Sequence, residues 1–113
     1  MKLDRTSALN NQQWTVAHHF DHIRQGHPFA RQIAVQYELA HTDFRVLQLI
    51  LQLEGQPALY ADFTAAYEKV QAFEWPFIAG GPEAFSARFG TRLADYHQAV
   101  AAFDTVCEQV AEG

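Results

Sequence analysis

Apolar side chains recur every three or four residues along most of the chain, the spacing that keeps them on one face of an α-helix. The clearest run is Phe89, Leu93, Tyr96, Val100, Phe103, Cys107 and Val110, whose alternating steps of four and three make the seam of a helical bundle. Leu59, Phe63, Ala66, Val70 and Phe73 repeat that seam upstream. Phe29, Ile33, Tyr37, Ala40, Phe44, Leu47 and Leu51 form a third run, and Val16, Phe20 and Ile23 mark a weaker face near the N-terminus. No period-two alternation of β-branched residues persists, so no strand is predicted.

Helix-breaking residues cluster at Gln25-Gly26-His27-Pro28, at Gly55-Gln56-Pro57 and from Trp75-Pro76 through Gly80-Gly81-Pro82. Pro28, Pro57 and Pro82 stand where each would open a helix, while Gly26 and Gly55 stand where the preceding helix would stop. The spacing predicts helices near 10–24, 28–54, 57–74 and 82–111, with residues 1–9 as a flexible N-terminus. Short connections demand antiparallel neighbours, so the expected architecture is all-α: one domain, 1–113, folded as a four-helix up-down-up-down bundle. Gly90 weakens the last helix by roughly 1 kcal/mol relative to Ala. The seam runs on from Phe85 through Phe89 to Leu93, which predicts one helix across it. Folding around Gly55 and Ala79 would then set His97 level with Ala61 and Ile50.

Composition fits that fold. Of 113 residues 49% are hydrophobic and 13% aromatic, enough to bury a core and too rich for a disordered tail. One cysteine rules out an internal disulfide and favours a reducing compartment. The N-terminal Met1-Lys2-Leu3-Asp4-Arg5 does not open like a signal peptide, and the most apolar stretch, Val46 to Leu53, is interrupted by Gln48 and Gln52, so a cytoplasmic protein with no membrane partner is expected. In that stretch Val46, Leu47, Leu49, Ile50, Leu51 and Leu53 cover most of the helix circumference, more than one bundle face can bury. The surplus, Val46, Leu49, Ile50 and Leu53, is the expected interface of a homodimer.

Candidate chemistry begins with six histidines, at 18, 19, 22, 27, 41 and 97. His18 and His22 are four apart and Glu38 and His41 three apart, so each pair projects from one helix face and could offer two metal ligands. Glu38-x-x-His41 is similar to half of the ligand motif of ferritin-like di-iron bundles, which carry it twice. A metal-binding bundle using His18, His22, Glu38 and His41 is therefore the alternative function. Against it, Glu38, His41, Arg45, Gln48 and Gln52 fall along one polar stripe that reads as solvated surface, and Trp14, His18 and His22 read as an exposed ridge. The expectation is no metal and no cofactor. Cys107 lies on a core seam rather than in the electropositive setting a reactive thiolate needs. No phosphate loop follows a strand, and nothing points to an enzyme.

Charge is uneven: residues 1–53 hold five basic and four acidic side chains, net +1, and residues 54–113 hold three basic and nine acidic, net −6. The halves attract one another, and an acidic chain with no basic stripe is a poor nucleic-acid binder. The segment from Trp75 to Pro82 reads as a loop bearing three large apolar residues. These either cap the bundle end or stand out as binding anchors, and the second reading makes Trp75, Phe77 and Ile78 the partner-binding candidates. The expected function is a small non-catalytic helical protein that binds another protein as an adaptor, regulator, inhibitor or assembly factor.

Overall fold

A computed structural model describes residues 5–28, 31–90 and 92–112. They form four helices, α1 (Arg5–Arg24), α2 (Arg31–Leu53), α3 (Pro57–Phe89) and α4 (Leu93–Glu112), with no strand among the described residues. The all-α bundle is therefore as expected. Phe29 on the expected inner face of the second helix, and Thr91, lie outside the described residues, as do residues 1–4 of the expected flexible terminus. Each of α1 and α3 touches both α2 and α4, and α1 and α3 also meet across the bundle. Gly26 and Gly55 end α1 and α2 in the same way. Each takes a positive φ, 70° and 68°, and the following amides close back on the His22 and Leu51 carbonyls at 3.2 and 3.0 Å.

Three boundaries differ from expectation. α1 begins at Arg5 rather than near 10, because Ala8 and Leu9 are core residues that extend its inner face by one turn. The segment 75–82 is not a loop: α3 runs through Trp75 and Pro76, and the chain bends at Gly81. Helix persists there because Tyr67, Val70, Glu74 and Phe77 keep to the seam, so the amide lost at Pro76 is outweighed by continued burial. Gly81 takes φ 78° and ψ −169°, backbone that only glycine adopts without strain, and Pro82 opens the short second piece. A Cβ on Gly80 would meet the Ala84 Cβ at 2.6 Å, so the bend is closely packed.

The last correction is at Gly90. One helix was expected to run across it, but the chain breaks there, with φ 57° and its amide bonded to the Ser86 carbonyl at 2.7 Å. The reason is aromatic packing. The piece from Pro82 to Phe89 folds over the bundle end, and Phe85 and Phe89 close on one another at 5.3 Å between ring centroids. Phe89 packs on Phe73 at 4.6 Å, and Phe73 stacks flat on Tyr96 at 5.0 Å. Deeper in, Phe44 packs on Tyr67 at 4.6 Å and Tyr67 on Phe103 at 5.5 Å. Because the chain reverses around this cap rather than at Ala79, His97 sits beside Phe20, 5.6 Å between centroids, and not level with Ala61.

Candidate functional site

Two features stand apart from ordinary core and ordinary surface. The first is a polar centre inside the bundle. The inner seam of α1 is Leu9, Gln12, Val16, His19 and Ile23, and that of α3 includes Phe63, Tyr67, Val70, Glu74 and Phe77. Both follow alternating steps of three and four, so Gln12, His19 and Glu74 occupy positions that normally carry apolar side chains. Where α1 and α3 meet, His19 Nδ1 and a Glu74 carboxyl oxygen share a hydrogen bond. The two side chains are 1% and 2% exposed.

Burial raises the Glu74 carboxyl above its ordinary value, and His19 offsets part of the rise. The Tyr67 and Tyr96 hydroxyls are pushed up by burial and then by Glu74. Around the pair, His19 Nε2, Glu74 Oε1 and the Tyr96 hydroxyl are enclosed, with no hydrogen-bond partner among the described residues. A carboxylate on an imidazole is an arrangement that activates a base, but this one is closed to solvent and to any substrate. The contact joins α1 to α3 inside the core, where neither side chain meets solvent. The sequence reading missed it by treating the first helix as a weak apolar face. Polar residues at seam positions 12, 19 and 74, of complementary type, were the available signal.

The second feature is the outer face of α2. Val35, Leu39, Thr42, Val46, Leu49 and Leu53 step by four and three alternately, on the side opposite Ala40, Phe44, Leu47 and Leu51 of the core. Leu39 is 60% exposed and Leu53 72%, and Val35 and Leu49 are exposed as well. At 1.5 Å per residue the stripe runs about 27 Å. A groove of about 440 Å³ runs along it between α1 and α2, lined by Asn11, Trp14, Thr15, Gln36, Leu39, Thr42 and Asp43. Burial raises the Asp43 carboxyl. Glu38 and Arg45 border the stripe on the other side, both exposed, with Arg45 reaching Gln48 at 3.0 Å.

Of the expected dimer residues, Leu49 and Leu53 lie on this face and Val46 is half-buried beneath it. Ile50 is a correction: at 9% exposure it is buried and offers this face almost no surface. The stripe also gains Val35 and Leu39, which the sequence reading did not assign. The three anchor candidates separate. Trp75 is 56% exposed beside Tyr37, Ile78 is partly buried against the core, and Phe77 is 1% exposed and packs edge-on against His22 at 5.7 Å. A helix turns successive residues to different faces, so the three make no common surface.

The metal candidates do not converge. His18 lies flat against Trp14 at 4.8 Å, and its ring is 6.4 Å from that of His22, which bonds the Pro28 carbonyl at 2.8 Å. Glu38 and His41 lie on α2, where His41 meets the Gln71 amide at 3.3 Å. Gln48, read as part of the same solvated stripe, is buried and donates to the Thr64 hydroxyl at 2.8 Å. Among the described residues no group of three or more His, Cys, Asp or Glu side chains is placed to hold a metal ion. Cys107 is core, its thiol pushed up to about 12 by burial and Asp104. No described helix is long and apolar enough to cross a membrane. No family model, curated protein or solved structure matches the chain.

Proposed function

We propose that this is a non-catalytic interaction protein of the cytoplasm, an up-down-up-down helical bundle that binds another protein chain through the outer face of α2. The observation that carries the reading is the stripe of exposed Val35, Leu39, Leu49 and Leu53, with half-buried Val46 between them, at seam spacing. Apolar side chains scattered over a surface need no partner, but a seam-spaced row of them along one helix has the form of a helix-packing face. Each buried Leu or Val contributes roughly 1.5–3 kcal/mol relative to leaving it exposed, so several together can hold a complex after the cost of association. Trp14 beside Leu39 adds a large rigid side chain of the kind that dominates interface energetics.

The test is a photo-crosslinking amino acid placed at Leu39 or Leu49, with a control at the exposed Glu108 of α4, irradiated in the cells that make the protein. The reading expects a discrete protein adduct from both α2 positions and none from the control. Equal labelling at all three, or no adduct at Leu39 and Leu49, overturns it.

A further inference from the structure

We infer that the chain seated on the outer α2 face is a second copy of this protein, laid antiparallel so that Glu38 of each copy meets Arg45 of the other. The inference rests on the interaction reading above and supplies its partner. Steps of four and three match the surface of another helix, and α2 itself presents such a stripe to solvent. A twofold axis lets one such stripe cover another.

The charged flanks choose the arrangement. Glu38 and Arg45 lie on one edge of the stripe, and Gln36 and Asp43 on the other. Within one helix Glu38 and Arg45 are seven residues, about 10.5 Å, apart and cannot pair. In a parallel pair opposite edges face each other, which would set Glu38 against Asp43 of the other copy, two like charges. In an antiparallel pair the same edges face. With the axis between residues 40 and 41, Glu38 meets Arg45 and Gln36 meets Asp43, each twice by symmetry. The same register stacks Val35 on Val46 and Leu39 on Thr42, beside the two Trp14 side chains. Sliding by one heptad to cover Leu53 would bring Arg45 onto its own copy and Asp43 onto its own copy, so charge favours the shorter overlap.

Sedimentation equilibrium on the full chain at low ionic strength tests this. The wild type is expected at twice the 12.8 kDa chain mass. Glu38→Arg or Arg45→Glu alone turns two attractive contacts into two repulsive ones and is expected to weaken the dimer about fivefold or more. The double exchange Glu38→Arg with Arg45→Glu restores the pairs, with affinity back to within about twofold of wild type. Both residues are exposed, so unchanged far-ultraviolet circular dichroism identifies the effect as one on association. A wild type that remains monomeric at about 1 mM, or a double variant no tighter than the singles, overturns the inference. If the wild type is monomeric while the crosslinker at Leu39 still captures a different protein, the second copy is refuted and the interaction face stands. If neither occurs, both fall.

Discussion

Replacing His19 with leucine should destabilise the bundle far more than its loss of volume suggests. The substitution leaves Glu74 in the core, 2% exposed, without the imidazole that now meets its carboxyl group. Leaving a buried polar group without its partner costs about 1–3 kcal/mol, and replacing both partners with apolar groups of similar volume is often neutral or stabilising. For a domain of this size each kcal/mol moves the Tm by about 4 °C, so His19→Leu should lower it by about 4–12 °C. The double variant His19→Leu with Glu74→Leu should recover most of that loss. The pH dependence has a definite sign. Glu74 in the folded chain has its pKa raised above the ordinary 4.5, so it takes up a proton more readily folded than unfolded. Its contribution to stability is complete below 4.5 and is lost as pH rises through the raised value. Glu74→Gln keeps an acceptor for His19 and carries no charge, so it should gain on the wild type as pH rises and converge with it in acid. The cost of His19→Leu should likewise shrink in acid, where Glu74 is neutral. Urea unfolding followed by circular dichroism at pH 4 and pH 7 reads all of this. A loss under about 1 kcal/mol for His19→Leu, or a double variant no more stable than the single, would refute the assignment of the pair as a buried hydrogen-bonded contact.

Two further substitutions test how the chain is laid out between α3 and α4. Phe77→Ala should cost about 3–5 kcal/mol, as expected of a fully buried aromatic, whereas Trp75→Ala should cost under about 1 kcal/mol, and thermal melts of the two separate a continuous helix from an exposed loop. Gly81→Ala should cost about 1–3 kcal/mol, because φ 78° with ψ −169° is strained for any residue bearing a Cβ; a melting temperature equal to wild type would mean the bend is not as described.

The seam of α4 and the stop signals at Gly26 and Gly55 were legible because periodicity and glycine chemistry point the same way there. The α3–α4 region was not, for a physical reason. Pro76 and Gly80-Gly81-Pro82 are strong local helix breakers, yet Phe77 continues the inner seam and tertiary burial carries the helix past Pro76. At Gly90 the conflict ran the other way: the seam from Phe85 to Leu93 is in register, but the rings of Phe85 and Phe89 are used to cap Phe73 and Tyr96, and that requires a reversal. On α2 the surplus of apolar residues between Val46 and Leu53 was visible. Its direction was not, because Ile50 lies between the inner and outer faces of the helix and only the packed fold shows it to be buried. His19 and Glu74 escaped notice because each is polar at a seam position, and they make sense only as a pair 55 residues apart.

The most direct measurement is isotope-filtered nuclear Overhauser spectroscopy on a mixture of 13C-labelled and unlabelled protein. Val35 and Val46 are eleven residues apart on one helix, about 16 Å, which is too far for an effect within a chain. Antiparallel pairing through the outer α2 face places the two valines in contact between copies. Intermolecular cross-peaks between their methyl groups, lost in Leu39→Glu, are the expected result. A spectrum with no intermolecular cross-peaks from Val35, Leu39 or Val46 at concentrations where the protein sediments as a dimer would place the interface elsewhere and contradict the account.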